Sequence, residues 1–419
     1  MQLLILGMNY APEVTGIGPY TAGLAEHLVS RGHQVTVATA FPHYPEWRVK
    51  QPYRGRWRLV EHRGGVEVRR GAIYLPRRRS AVRRMLYDSS LAAGALVNGL
   101  SAARPDFILC ISPPIQLGLT AMVLSRLWRS RFGLLIQDLP LEAALAVGML
   151  RRGPVYRLGR FVERLVYRAA ASIIVISEGF RQSVIRQGVP ADRIAHIPGW
   201  VDTELVRPLA PDPELRSFAG AGPEDFLVLH TGNMGDKQGL ASAVLAAADL
   251  DGDVPLRLTL VGDGMDRPNL EALAAERAAA TVRFLPLQSQ AAFARLLASA
   301  DALLLNQRAS VVDSVAPSKL LSYLAAGRPV LAAVHAESEA ARIVRASGGG
   351  LIVRPEDPGA LSAALRSLAQ DPEHGRSLGV SGRHYAEAHF AREAVLARYD
   401  QFFEQFARRR SGRDVPLAV

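Results

Sequence analysis

The sequence holds a single cysteine, Cys110, among its 419 residues. One thiol excludes disulfides and cysteine-based zinc sites, and its setting in the run Phe107-Ile108-Leu109-Cys110-Ile111 reads as a small core residue. Long hydrophobic runs are missing too: no stretch reaches the roughly 18 apolar residues that a membrane-spanning helix needs. Met1 leads straight into Leu3-Leu4-Ile5-Leu6-Gly7 without a basic leader or cleavage site, so the chain is expected to be cytoplasmic. Metal-ligand spacings are absent. His43 and His62 belong to none, and Asp251-Gly252-Asp253 precedes a strand and reads as a turn, so neither metal nor cofactor is expected.

What is present is enough apolar character for two domains, with 49% hydrophobic residues over a length beyond what one core usually organises. The net charge of +11 is local: Arg48 to Arg84 carries 13 Lys or Arg against Glu61 and Glu67, an excess equal to that of the whole chain. A basic stretch of this kind suits anionic lipid headgroups, a phosphorylated substrate or nucleic acid. Only Tyr53, Trp57 and Tyr74 accompany it and no nucleic-acid-binding motif follows, so nucleic acid is not expected as a partner.

Apolar strand-like runs alternate with helical stretches from end to end, the pattern of parallel βαβ units. Strands are expected near residues 2–7, 34–39, 106–111, 133–137 and 172–176, then near 226–230, 257–261, 281–285, 302–305, 329–333 and 350–353. Between the two groups lies a connector, Arg207 to Glu214, with Pro208, Pro211 and Pro213. The expected architecture is two tandem Rossmann-like doubly wound α/β domains, residues 1–203 and 204–390. A tail, 391–419, carries Val395, Leu396, Tyr399, Phe402, Phe403 and Phe406 on a helix that packs back toward the first domain.

Ligands of open parallel sheets bind beyond the carboxyl ends of the strands, which directs attention to three loops. Asn9 to Gly18, with Gly16 and Gly18, opens a helix whose N-terminus suits an anion, although Gly-x-Gly also serves simple close packing. His230 to Gly239 places Gly232, Asn233, Gly235 and Lys237 after a strand, giving a diphosphate close backbone approach and a mobile cation; it lacks the Gly-Lys-Ser/Thr ending of a P-loop. Asp313 to Ser322 brings Ser318, as a plausible N-cap, and the amides of Lys319 and Leu320 to a third helix start. Val261-Gly262-Asp263-Gly264 shapes the same rim.

Taken together, Asn9-Tyr10-Ala11-Pro12-Glu13, Gly16-Ile17-Gly18, Arg31-Gly32-His33-Gln34-Val35, Pro42-His43-Tyr44-Pro45, Gln137-Asp138, Ile197-Pro198-Gly199-Trp200-Val201-Asp202, Gly232 to Gly239, Pro317-Ser318-Lys319 and Ala326-Gly327-Arg328-Pro329 resemble the retaining GT-B glycosyltransferases over nearly the full length. Within that family the resemblance is to the colanic acid biosynthesis glycosyltransferase group. It implies two domains facing a cleft, a nucleotide-sugar donor on the C-terminal domain, a saccharide acceptor on the N-terminal one, and metal-independent transfer with retention. Lys237 and the amides near Gly232 and Lys319 would hold the diphosphate and stabilise the leaving charge, with Gly16, Gly18, Asn233, Asp263, Asp313, Ser318 and Leu320 completing the donor site. Asp138 falls where relatives place a catalytic or acceptor-positioning side chain, though a helix-capping Asp is an equal reading.

The departure from the family pattern is in the third loop, where Ser314 and Ser322 replace a pair of glutamates and Asp313 offers a stand-in for the first. The donor is therefore open between GDP- and UDP-linked sugars, GDP-fucose among them. The basic stretch, with Arg77, Arg78, Arg79, Arg83 and Arg84 beside an apolar helix and His43 on the acceptor side, is expected to meet the inner membrane surface and a lipid-linked saccharide acceptor. Two rivals differ in kind. A nucleotide-sugar 2-epimerase would need carboxylates around the sugar, and a non-catalytic basic nucleotide-binding protein would show no turnover.

Overall fold

The computed structural model describes residues 1–13, 16–44, 46–76, 78, 80–146, 152–277, 279–311 and 318–410. Arg77, Arg79, Asp313 and Ser314 lie outside the described residues. The chain forms two compact units, one built from Met1–Pro198 and the segment from Leu396 onward, the other from Gly199–Val395.

The first unit contains strands β1 (Gln2–Leu6), β2 (Gln34–Ala40), β3 (Arg58–Arg63), β4 (Val66–Gly71), β5 (Phe107–Ser112), β6 (Arg131–Ile136), β7 (Ser172–Val175) and β8 (Ile194–His196). Its helices are α1 (Gly18–Ser30), α2 (Ala81–Leu100), α3 (Gln116–Trp128), α4 (Pro140–Ala146), α5 (Pro154–Ala169) and α6 (Glu178–Arg186). The sheet runs β3-β4-β2-β1-β5-β6-β7-β8 and is parallel except for the β3-β4 hairpin. That hairpin was not among the expected strands. Its tight turn is Gly64-Gly65, both at positive φ (54° and 77°), the conformation that lets two residues join twisted strands. Alternate residues of the central strands serve two cores. Leu4, Leu6, Ile108, Cys110 and Leu134 face α2, α3, α5 and α6, so Cys110 is the core residue its sequence setting indicated.

The second unit opens with α7 (Pro213–Phe218) and continues with β9 (Phe226–Thr231), α8 (Ala241–Ala248), β10 (Leu256–Val261), α9 (Arg267–Glu276), β11 (Val282–Leu285), α10 (Gln290–Ser299) and β12 (Ala302–Asn306). There follow α11 (Ser318–Ala325), β13 (Val330–Ala333), α12 (Glu339–Ser347), β14 (Gly350–Val353), α13 (Pro358–Gln370), α14 (Pro372–Phe390) and α15 (Arg392–Arg410). The sheet order is β11-β10-β9-β12-β13-β14, parallel throughout. On β12, Leu303 and Leu305 join the core under α10, α11, α12 and α14, while Ala302 and Leu304 join the one under α8, α9 and α13. A strand buried on both faces explains why β12 reads as an unbroken apolar run.

The unit boundaries fall at 198/199 and 395/396 rather than 203/204 and 390/391. Val201 accounts for the shift: its amide donates to the Phe390 carbonyl at 2.8 Å, tying both segments to the second unit. The proline-rich connector likewise belongs to that unit, since Arg328 donates to the Leu209 carbonyl at 3.1 Å and Arg383 to the Val206 carbonyl at 2.8 Å. From Leu396 onward α15 packs in the first unit. Phe406 stacks edge-on against Phe107 of β5 at 4.3 Å between ring centroids, and Asp400 accepts from His27 of α1 at 2.9 Å.

Candidate functional site

In each sheet the strand order reverses at one point, between β1 and β5 in the first unit and between β9 and β12 in the second. Helices leave opposite faces there, and the loops splay apart at the carboxyl edge to leave a crevice. The crevice of the second unit is framed by the loop after β9 and by α11, the helix that follows β12.

Glycines bring its backbone together. Gly232 and Gly262 adopt φ of 105° and 143°, and a Cβ at Gly262 would sit 1.9 Å from the Gly232 carbonyl oxygen. A Cβ at Gly264 would sit 2.2 Å from the Met234 carbonyl, so the two loops can approach only as glycines. The approach is fastened by the Met234 amide donating to the Asp263 carbonyl at 2.8 Å and by the Gly232 amide donating to Val261 at 2.7 Å. Asp263 thus acts through its backbone, while its carboxylate accepts from the Gly264 amide at 2.8 Å.

Lys319, in the first turn of α11, reaches across to this loop. Its Nζ lies 3.1 Å from Nε2 of His230, and its side chain passes so near Gly232 that a Cβ there would meet Lys319 Cε at 2.9 Å. His230 is fully buried at the end of β9. Its Nδ1 is 3.1 Å from the Leu304 carbonyl, which can only accept, so Nδ1 carries the proton and Nε2 presents a lone pair to the lysine. Burial, then the neighbouring Lys319 charge, hold the imidazole pKa well below its ordinary value and keep it neutral. Burial also lowers the pKa of Lys319 to about 8. The adjoining Tyr323, its phenol pKa raised by burial to about 12, accepts from the Thr231 amide at 2.9 Å and fixes the end of β9.

Lys237 occupies a short 3-10 turn, Asp236–Gln238, and the α-helix that follows begins at Ala241. The turn is anchored through its backbone. Asn306 donates to the Gln238 and Gly239 carbonyls at 2.8 and 2.7 Å, and the Arg308 amide donates to the Lys237 carbonyl at 2.9 Å. No side-chain partner holds the half-buried Lys237 ammonium among the described residues. Asn233 is exposed at the same rim. Ser318 is the first residue of α11 rather than its cap, exposed beside half-buried Lys319 and buried Leu320. Asp253 is ion-paired with Arg366, with a 3.0 Å bond to Nε, in the turn after α8.

The crevice of the first unit is filled differently. Glu13, buried in the loop after β1, accepts from the amides of His43 and Tyr44 at 2.8 Å each and from Asn9 Nδ2 at 2.8 Å. His43 is buried rather than open to an acceptor: Nδ1 donates to the Phe41 carbonyl at 2.8 Å, and Nε2 lies 2.7 Å from the Tyr87 hydroxyl. Burial raises the Tyr87 pKa, and the same hydroxyl lies 3.1 Å from Met8 Sδ. Gly16, at φ 66°, is exposed, and Gly18 begins α1, whose first turn has neither an acid nor a side-chain cap. Asp138, half-buried beyond β6 at the same edge, accepts from the Leu139 amide at 2.8 Å. Arg70 corrects the reading of the basic stretch as a surface feature. Fully buried on β4, it donates to Glu61 at 2.8 Å and also to the Ala11 carbonyl, with Tyr53 5.2 Å beneath its guanidinium. Arg78 and Arg84 are exposed and Arg83 half-buried.

His230 and Arg70 were the residues that the sequence concealed. His230 ends an apolar strand run and its partner lies 89 positions away. Arg70 follows Val66 and Val68 at a spacing of two, which was the available sign that it faces inward.

Two doubly wound α/β units, each with a crevice at the switch point of its sheet, are the architecture of the GT-B fold. Residues 15–200 match the glycosyl transferase 4-like domain family, and residues 212–385 match glycosyl transferases group 1. The chain is 32% identical over 408 residues to WcaI of Escherichia coli strain K12, described as a "putative colanic acid biosynthesis glycosyl transferase", covering 95% of this chain and 98% of that one. It belongs to the group 1 family of GT-B glycosyltransferases. Among solved structures, a sucrose-phosphate synthase of Thermosynechococcus elongatus shares the fold with a TM-score of 0.73 at 19% identity, covering 97% of this chain and 98% of that one. HepE of Anabaena, in complex with UDP and glucose, does so at 0.70 and 15%, covering 96% and 99%. No helix among the described residues is long and apolar enough to cross a membrane.

Proposed function

We propose that this glycosyltransferase moves a sugar from a GDP- or UDP-linked donor, GDP-fucose among the candidates, to a lipid-linked saccharide in exopolysaccharide assembly, with retention and without a metal. The observation that carries the donor assignment is the contact of Lys319 with neutral His230 beside Gly232. A neutral imidazole acceptor orients the ammonium without adding a charge, and one N–H directed at Nε2 leaves two for an anion. A diphosphate supplies that anion, and HepE, of the same fold, was solved with UDP. The relation to WcaI supports the polysaccharide setting.

In this reading the bond between the anomeric carbon and the departing diphosphate breaks through an oxocarbenium-like state. Lys319, Lys237 and the amides of the Gly232 loop stabilise the negative charge that grows on the leaving oxygen. Asp138 and the first unit position the acceptor, and exposed Arg78 and Arg84 with Arg83 meet an anionic inner-membrane surface. The test is a thermal-shift panel of GDP, UDP, ADP and dTDP on wild type, Lys319→Met and Lys237→Ala, because a ligand selective for the native state raises apparent stability. A shift for one base that either substitution diminishes supports the reading. Silence across the panel, or shifts indifferent to both lysines, rejects it.

A further inference from the structure

Helices α2, α3 and α5 lie side by side over one face of the first unit's sheet, α3 packing against both neighbours, and their inner residues share one core. Their outer surface is unusually apolar. Of the twenty large hydrophobic side chains exposed among the described residues, eleven stand on these three helices. The densest group is on α5, where Val155, Leu158, Phe161 and Leu165 recur at helical spacing and are 63, 58, 64 and 40% exposed. Leu158, Phe161 and Leu165 lie on the side away from Glu163, Val166 and Tyr167, which are buried. On α2, Val82, Met85 and Leu86 are exposed in the same way.

The exposed charges on the three helices themselves have one sign; beside them, half-buried Glu142 of α4 pairs with Arg160 of α5 at 3.5 Å. Arg157, Arg164 and Arg168 are exposed along one flank of the α5 ridge, and Arg84 is exposed on α2. The only carboxylates on the three helices, Asp88 and Glu163, are buried and paired within their own helices, to Arg84 at 3.1 Å and Arg160 at 2.9 Å. A surface of exposed apolar side chains edged by arginine and free of outward carboxylates matches the boundary of an anionic bilayer, with hydrocarbon beneath a layer of phosphates. A second copy of the chain fits poorly, because it would bring arginines against arginines. Nucleic acid would leave the apolar ridge in water.

We infer that this three-helix face docks on an anionic lipid surface, with α5 in the headgroup plane, Leu158, Phe161 and Leu165 inserted, and Arg157, Arg164 and Arg168 at the phosphates. The inference rests on the membrane contact proposed above and moves its centre from the basic start of α2 to the ridge of α5.

The experiment is co-flotation of the full chain with phosphatidylcholine vesicles, with and without phosphatidylglycerol. It compares wild type, Leu158→Ser with Phe161→Ser, Arg157→Gln with Arg164→Gln and Arg168→Gln, and Arg83→Gln with Arg84→Gln. Thermal midpoints and the nucleotide thermal shift report folding independently. The expected result is wild-type flotation only with the anionic vesicles, reduced on the order of tenfold by either α5 variant at unchanged folding, with added salt weakening binding of wild type. Flotation of both α5 variants equal to wild type, with loss only on changing Arg83 and Arg84, overturns the α5 assignment and leaves the contact at α2. Failure of wild type to float overturns the membrane contact itself. Sedimentation of wild type as a dimer and of the Leu158→Ser, Phe161→Ser variant as a monomer, without lipid, assigns the ridge to self-association and overturns the inference.

Discussion

The two crevices share one topology and have opposite contents. In the second unit the space between β9 and β12 is lined by glycine backbone and reached by Lys319, whose ammonium leans on a neutral imidazole. In the first unit the loop beside β1 centres on Glu13, already satisfied by two amides and Asn9. A switch point between parallel strands therefore makes a place, and the side chains of the flanking loops decide what enters it. One crevice has cationic hydrogens left to give. In the other, the amides of His43 and Tyr44 are spent on a carboxylate of the protein itself.

The comparison is sharpened most by Lys319→Met. It removes a donor to the leaving diphosphate and should cost on the order of 2.7–4 kcal/mol, or 10²–10³ in nucleotide-sugar turnover. Stability should not fall with it. A lysine whose folded pKa is lowered from 10.5 to about 8 is opposed by burial below pH 8, and that opposition is relieved as pH rises between the two values. Unfolding titrations of wild type and variant at pH 7 and pH 10 check both signs: at pH 7 the variant should match or exceed wild type, and wild type should lose its disadvantage toward pH 10. Diphosphate affinity of wild type should run the other way, weakening as pH passes about 8 and the ammonium is lost.

Glu13→Ala makes the converse case. It strands the buried His43 amide, the part-buried Tyr44 amide and the Asn9 side chain, at ~1–3 kcal/mol each, and should lower unfolding stability by about 3 kcal/mol or more while nucleotide affinity holds. A parallel loss of nucleotide affinity would break the comparison. His230→Leu should come next. Loss of a hydrogen bond to a charged group, about 1.5 kcal/mol or more, predicts roughly tenfold weaker diphosphate binding and a changed pH profile, measured by calorimetry from pH 7 to 9. The smallest effect belongs to Arg84→Ala. Its i,i+4 partner Asp88 is buried, which puts the pair at the upper end for a helix-surface pair, about 1 kcal/mol, so denaturant midpoints should fall slightly and nucleotide affinity not at all.

The strands of the two parallel sheets were legible because most are buried on both faces and read as uninterrupted apolar runs. β3 and β4 were not, because Arg58-Leu59-Val60-Glu61-His62-Arg63 lies toward the edge and its charges read as a solvated patch. The alternation on either side of Gly64-Gly65 was the hairpin signal within it. β8 has three residues, too few for periodicity to show. The return of α15 was legible, since Phe402, Phe403 and Phe406 recur at helical spacing and pack against Phe107. In the site, glycine and lysine placement was readable one loop at a time. What joined the loops was not: His230 meets Lys319 only because β9 and β12 are neighbours across a crossover, a relation that local spacing does not carry.

Calorimetric titration of GDP and UDP into wild type, Lys319→Met and Glu13→Gln tests the assignment of the diphosphate to the second crevice most directly. The account requires that one of the two bind wild type, that Lys319→Met weaken it by tenfold or more on the order of 1.4 kcal/mol, and that Glu13→Gln leave it unchanged. Equal binding by Lys319→Met, with loss confined to Glu13→Gln, would place the nucleotide in the first unit and contradict the account.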